Sequence, residues 1–192
     1  MIHVQELQKY YTVGANTIKA LNGVSLDIDD GEYVTVVGTS GSGKSTLMNI
    51  LGCLDTPTSG SYLLDGEDVA ALSDNTLSDI RSVKIGFIFQ SFNLIQGLTA
   101  LENVELPLLY RKVPKKQRSE IAMRALDSVR LSDRALHRPT ELSGGQQQRV
   151  AIARAIAADP AMILADEPCG NLDSRSGAEV LDILSELSRK GK

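Results

Sequence analysis

Polar and apolar positions change period several times along this 192-residue chain, and each change marks an element. Val24, Leu26 and Ile28 alternate with Ser25 and Asp27, the period of a half-buried strand. Asp29, Asp30 and Gly31 then turn the chain into a continuous apolar run over 33–37, which predicts a buried strand. A helix is expected from Thr46. Residues 61–64 predict a strand ending in an Asp65-Gly66 turn, and 84–89 predict another. The character changes at Gln90. Residues 99–131 read as mostly helical, broken by Pro107 and Pro114. Ile121, Ala122, Ala125, Leu126 and Val129 recur at helical spacing. The run 161–165 predicts a last strand, and 176–189 a helix with Val180, Leu181, Ile183, Leu184 and Leu187 on a broad apolar face. Strands alternating with helices argue for an α/β core with a largely parallel sheet, into which a helical stretch is inserted.

The most specific chemistry lies between the predicted strand 33–37 and the helix that follows. Gly38, Thr39, Ser40, Gly41, Ser42, Gly43, Lys44 and Ser45 match the pattern G-x-x-x-x-G-K-[ST]. In a strand–loop–helix context, backbone N–H groups and the helix dipole form an anion cradle. Lys44 can reach the outer phosphates and Ser45 can ligate Mg²⁺. A nucleoside triphosphate is therefore the expected ligand.

Asp166 and Glu167 end the last apolar strand, at the edge where open α/β sheets bind ligands. Asp166 can hold Mg²⁺ with Ser45, and Glu167 can act as general base on the attacking water. Leu142, Ser143, Gly144, Gly145 and Gln146 precede a helix expected to run through Ile152 and Ile156 to Asp159-Pro160. Ser143 and Gln146 have capping-box spacing. Taken alone, the segment reads first as a helix cap with flexible glycines and second as an anion site. Only one of the two glycine-bearing helix ends has a lysine. If both serve one nucleotide and one chain cannot fold them together, two chains must meet around it.

Composition adds limits. With 42% hydrophobic and 23% charged residues the chain is an ordinary globular protein, and its net charge of −4 gives no global case for nucleic-acid binding. No apolar run approaches the ~18 residues of a membrane span. His3, Gln5, Glu6 and Gln8 interrupt the start, so no signal peptide is expected. Cys53 and Cys169 fit a reducing cytoplasm rather than a disulfide framework. His3 and His137 are expected to be surface or structural residues, and the basic run Arg111, Lys112, Lys115, Lys116, Arg118 a solvated turn and helix start.

Together these motifs resemble the ATP-binding cassette (ABC) ATPases across essentially the whole chain. Residues 142–146 are similar to the family signature, 38–45 to its first Walker motif and Gln90 to its loop glutamine. Residues 161–167 are similar to the second Walker motif with its catalytic glutamate, and Asn171, Leu172 and Asp173 to the loop that touches the opposing site. Tyr11 lies about where the family stacks an aromatic on adenine; as an edge-strand aromatic next to Tyr10 it also has a plain structural reading. The resemblance implies a P-loop NTPase (RecA-like) core with an N-terminal antiparallel β-subdomain over 1–89 and 150–192, and an inserted helical subdomain over 90–149 that carries the signature. It implies a head-to-tail dimer with ATP between two nucleotide-binding domains. Lys44, Ser45 and Thr46 would hold the phosphates, and Ser143, Gly144, Gly145 and Gln146 of the partner would close on the γ-phosphate. Gln90 would contact Mg²⁺ and water and link the site to a membrane partner. Such a subunit would sit on the inner face of the cell membrane.

A finer similarity, in 48–55, 86–90 and 142–149, is to the MacB/LolD branch of macrolide-efflux and lipoprotein-release ATPases. It implies a separate transmembrane permease with a large extracytoplasmic domain, and a periplasmic adaptor. Two departures stand out. Cys169 replaces the branch's small hydroxyl residue, and the family's switch histidine would follow one further strand after 176–189, whereas the chain ends at Lys192. A cassette shortened by some tens of residues, with impaired turnover, is the expectation. Two other readings compete: a soluble cassette acting on DNA or ribosomes, and a nucleotide-gated module without turnover. The roughly one hundred residues between phosphate loop and signature, without heptads, argue against the repair type. Translation-type members usually join two cassettes in one chain, and Glu167 argues against a module without turnover.

Overall fold

The computed structural model describes residues 1–191, so Lys192, the end of the expected core, lies outside the described residues. The chain divides into two compact units, 1–81 (with Gly191) and 82–190. In the first, β1 (Ile2–Val13) and β2 (Asn16–Ile28) form a hairpin closed by Gly14-Ala15, with Gly14 in the left-handed region that such a turn requires. β3 (Ser59–Leu64) and β4 (Glu67–Asp68) complete an antiparallel sheet of order β2-β1-β3-β4. Asp65-Gly66 makes the predicted turn between them. A bulge in β1 near Glu6 is accommodated by Gly60 on β3, where a Cβ would lie 2.4 Å from the Glu6 carbonyl oxygen. Val4, Leu7, Ile50 of α1 (Lys44–Leu51) and Tyr62 are almost wholly buried. The Tyr62 hydroxyl donates to the Leu51 carbonyl at 2.8 Å, so this buried phenol is satisfied.

The expected strand over 33–37 is not a strand here. None of these residues joins a ladder among the described residues, and Tyr33, Val34, Val36 and Val37 are 55%, 48%, 49% and 87% exposed. An apolar β-branched run becomes a strand only when neighbours take up its backbone groups and cover its faces. No described strand does so.

α2 (Asp74–Lys84) leads into the second unit, where β5 (Ile85–Ile88) pairs in parallel with β6 (Met162–Ala165), Ile88 opposite Ala165. Gly86 allows α5 (Gly144–Ala157) to approach β5, since a Cβ there would lie 2.6 Å from the Ala155 carbonyl oxygen. α3 (Ala100–Tyr110), α4 (Lys115–Ser128) and α5 bury Val104, Leu126, Val129, Val150 and Ile152 completely. α4 presents the predicted stripe, with Ala122, Ala125 and Leu126 buried. α6 (Ser174–Arg189) adds Val180, Ile183 and Leu184.

Pro114 caps the start of α4, but Pro107 lies inside α3 and does not break it. The helix forgoes one backbone bond there and is held instead by packing and by a capping box between Thr99 and Glu102. The basic run is mostly solvated, with two exceptions. Arg118 pairs with Glu105 at 2.9 Å, tying α4 to α3, and Arg111 donates to the Ala158 carbonyl.

Candidate functional site

In the first unit, the phosphate-loop pattern makes an open turn feeding α1. Gly41 and Gly43 have φ of +79° and +91°, and a Cβ on Gly43 would lie 2.4 Å from the Ala20 carbonyl oxygen. Only glycine fits that position. Gly43 is also the N-cap, so no side chain bonds the first-turn N–H groups of α1. A Cβ on Gly38 would meet the Ser42 hydroxyl at 2.5 Å. The Lys44 ammonium folds back on its own loop, donating to the Gly38 and Thr39 carbonyls at 2.9 and 2.8 Å. An ammonium resting on carbonyls at the loop's mouth holds a positive charge where a phosphate could replace those acceptors. Thr39, Ser40 and Ser45 are exposed, and Thr46 is half-buried on α1.

Tyr11, near the end of β1, is 37% exposed. Its hydroxyl donates to Asp55 Oδ2 at 2.8 Å, and burial followed by this bond raises the phenol's pKa. Tyr10 instead bonds Asn22 at 2.8 Å. The Tyr11 hydroxyl thereby connects to α1, because the Asp55 N–H donates to the Asn49 carbonyl of that helix at 3.2 Å.

In the second unit, the parallel pairing of β5 and β6 puts Gln90, Asp166 and Glu167 at one carboxyl edge. The Asp166 N–H donates to the Ile88 carbonyl at 2.9 Å. Glu167 is exposed and holds φ of +42°, a left-handed conformation that is costly for a side chain of this size. The Gly170 N–H donates to the Glu167 carbonyl, closing the turn. Gly170 gives Gln90 room, since a Cβ would lie 2.5 Å from Gln90 Nε2, and Asn171 donates to the Gln90 carbonyl at 3.1 Å.

The signature segment sits against this same loop. Ser143 and Gln146 form the full capping box, the Ser143 N–H donating to Gln146 Oε1 at 2.9 Å and the Gln146 N–H to Ser143 Oγ at 3.3 Å. A Cβ on Gly145 would lie 2.7 Å from Ser176 Oγ, and one on Gly144 would touch Leu172 and Phe92. The buried Gln148 donates to the Pro168 carbonyl at 2.7 Å, leaving its own Oε1 without a partner. One unit thus gathers Gln90, Asp166, Glu167, Asp173 and 143–146, while the other gathers Tyr11 and 38–46.

The capping role of Asp173, and Arg154 and Asp55 altogether, were not expected from the sequence. Asp173 is the N-cap of α6, accepting from the N–H groups of Ser176 and Arg175 at 3.0 and 3.1 Å, and the Ser176 N–H first of all lowers its pKa. The signal was present, an Asp just before an amphipathic run. Arg154 donates to the Asn93 carbonyl and, at 2.9 Å, to the Phe92 carbonyl. Phe92 and Asn93 both have positive φ, so α5 clamps a strained turn two residues beyond Gln90. The signal was a lone charge inside the apolar stretch 150–157. Asp55 carried no pattern, because its partners Lys9 and Tyr11 lie over forty residues away. Cys169 is half-buried against Gly177, and burial raises its pKa. His3 pairs with Asp27, and His137 accepts α3's first N–H through its backbone, so both are structural. Among the described residues, no helix is long and apolar enough to cross a membrane and no His/Cys/Asp/Glu cluster forms a metal site.

The profile of the ABC transporter family matches residues 21–170. An ABC transporter ATP-binding protein of Thermotoga maritima, itself uncharacterized, is 54% identical over 192 residues, spanning all of this chain and 82% of that one. The macrolide export ATP-binding/permease protein MacB of Brucella melitensis is 51% identical over 191 residues, which make up 30% of its length. Among solved structures, the bacterial ABC transporter cassette MJ0796 superposes in its dimeric form with a TM-score of 0.91 at 48% identity, covering this whole chain and 85% of that one. A dimeric post-hydrolysis state of MJ0796 bound to ADP and Pi superposes equally well.

Proposed function

Because the chain belongs to the ABC transporter ATP-binding family, a family of P-loop ATPases, we propose that it binds and hydrolyses ATP to drive a separate membrane permease. The observation that carries this reading is the phosphate loop. Its glycines are sterically required, its helix start carries no side-chain cap, and Lys44 is poised on its rim.

Gly38, Thr39, Ser40, Gly41, Ser42 and Gly43 supply backbone contacts to the phosphates, with Lys44, Ser45 and Thr46 on the outer groups. Tyr11 offers its ring to the adenine. The Ser45 hydroxyl, the Asp166 carboxylate and the Gln90 amide oxygen are hard oxygen donors, the set that suits Mg²⁺. When bound, that cation neutralises charge on the transferring phosphoryl group. Gln90 orients the attacking water, and an oxygen of Glu167 accepts its proton as the water oxygen bonds to the γ-phosphorus and the bond from that phosphorus to the β,γ-bridging oxygen breaks, releasing ADP and phosphate. Ser143, Gly144, Gly145 and Gln146 of a second copy complete the site, and Asp173 faces it across the dimer. The dimers of MJ0796 and the capped signature helix support this arrangement.

Residues 1–89 and 150–192 then act as the nucleotide-binding core, and 90–149 as a helical arm. The 51% identity to MacB supports the macrolide-efflux and lipoprotein-release branch, hence a permease, a periplasmic adaptor and a place on the inner membrane face. The test is nucleotide binding and phosphate release by the protein and its Lys44→Ala variant. Loss of both in the variant supports the reading, and unchanged affinity and turnover overturn it.

A further inference from the structure

Asp55 lies in the connection after α1, half-buried, between a lysine and a tyrosine that are both on β1. Its Oδ1 accepts from Lys9 Nζ at 2.6 Å and from the Thr56 N–H at 2.8 Å, while Oδ2 accepts from Tyr11 Oη at 2.8 Å. Lys9 also donates to the Thr56 carbonyl at 2.7 Å, and its ammonium stands 5.1 Å from the centroid of the Tyr11 ring. The Lys9 and Asp55 side chains retain only 13% and 29% of their exposure, so this ion pair is sheltered from the screening that weakens surface pairs. Burial pushes the Asp55 carboxyl up, but the Lys9, Tyr11 and Thr56 bonds together outweigh it and hold the group below its usual range. It is therefore charged at neutral pH and accepts strongly from both partners.

This geometry fixes an otherwise mobile ring. Tyr11 emerges near the tip of a two-stranded hairpin, where a side chain would choose freely among rotamers. The bond at Oη and the ammonium over one face hold it in one, while the residue stays 37% exposed. We propose that Asp55 and Lys9 are positioning residues for the nucleotide base: they lock the Tyr11 ring so that a purine stacks on the face away from Lys9. The Asp55 N–H in turn donates to the Asn49 carbonyl of α1 at 3.2 Å, which connects the ring's anchor to the helix that starts on the phosphate loop. Base platform and phosphate cradle are thereby held in one frame inside the first unit. Ordering the platform before binding spares the complex that entropy cost. The proposal rests on the reading of Tyr11 as the base platform.

The test separates base from phosphate recognition. Dissociation constants for Mg·ATP and for Mg·tripolyphosphate are measured calorimetrically on the protein and on Asp55→Ala, Tyr11→Phe, Tyr11→Ala and the Asp55→Ala/Tyr11→Phe pair. Tyr11→Ala is expected to weaken ATP about tenfold or more. Asp55→Ala and Tyr11→Phe are each expected to weaken it about three- to tenfold, the worth of the lost bond and order. The pair should lose little more than either alone, and tripolyphosphate affinity should stay constant throughout. A merely structural Asp55 would weaken both ligands together, and that result overturns the proposal. If Tyr11→Ala lowers ATP affinity selectively while Asp55→Ala does not, positioning by Asp55 fails and the platform stands. If Tyr11→Ala leaves the ratio of the two constants unchanged, the platform reading itself fails.

Discussion

At α1 the helix begins on Gly43, in the left-handed region and with no side chain to bond its first turn. At α5 it begins on Ser143, whose hydroxyl and the Gln146 amide close a reciprocal box. Both starts carry adjacent glycines, and both belong to motifs that a phosphate could approach. Yet they are built for different tasks. The first is incomplete without an anion: its N–H groups are uncapped and its lysine rests on carbonyls it can leave. The second is complete by itself, and its glycines serve packing as much as access, Gly145 giving room to Ser176 and Gly144 to Phe92 and Leu172. A phosphate held by the second end alone would compete with the box already there. Held by the first end as well, it meets the second as an added contact. In the proposed two-chain site, the open end would set affinity and the capped end would set when the site closes.

Changes to the open end should have the largest effect. Lys44→Ala is expected to reduce ATP turnover by two orders of magnitude or more, on the scale of a lost phosphate clamp. Phosphate release and equilibrium nucleotide binding measure this. Glu167→Gln should cut turnover by about 10²–10⁴, the usual worth of a general base, while leaving nucleotide affinity in place. If both variants behaved alike in binding, the separation between holding and hydrolysing would collapse.

Arg154→Met comes next. Removing the guanidinium leaves the Phe92 and Asn93 carbonyls without their partner in a strained turn, at a cost of about 1–3 kcal/mol. Urea unfolding should show it. Turnover should fall with ATP affinity largely kept, because the turn follows Gln90 and not the phosphate loop. Equal loss of both would break the assignment of this clamp to the second unit's chemistry.

At the capped end, Ser143→Ala should destabilise by about 1 kcal/mol in the same unfolding assay. It should also weaken ATP-dependent association without altering ATP binding by the isolated chain. The smallest effect concerns pH. Asp173 caps α6 with a carboxylate whose pKa is lowered, chiefly by the Ser176 N–H. A lowered folded pKa means that the stabilisation is complete above the unfolded value of about 4 and fades as pH falls through the folded one. Asp173→Asn caps without charge, so it should flatten the acid limb of the stability curve between about pH 5 and 3 relative to the parent protein.

Much of this comparison was legible beforehand because it rests on local rules. The phosphate-loop glycines, the capping box at Ser143 and the apolar stripe of α4 each follow from a few neighbouring residues, and each stands where the pattern put it. The misreadings are all non-local. Residues 33–37 have every intrinsic mark of a strand, but a strand is defined by its neighbours, and no described strand flanks them. Pro107 reads as a helix break, yet packing and a firm cap at Thr99 carry α3 across it. Asp55, Lys9 and Tyr11 meet only after β1 and the connection beyond α1 come together, so no spacing rule could pair them. Arg154 is intermediate: its isolation among apolar residues is a signal that could have pointed to it, but its acceptors lie some sixty positions away.

The central claim is that the open end of one chain and the capped end of another form one site. Sedimentation velocity of Glu167→Gln with ATP and Mg²⁺ tests it most directly. The account predicts a shift from monomer to dimer on adding ATP, lost when Ser143→Arg is introduced into the same chain although ATP still binds. A protein that binds ATP and stays monomeric at every concentration, or one whose dimer is indifferent to Ser143→Arg, would contradict it.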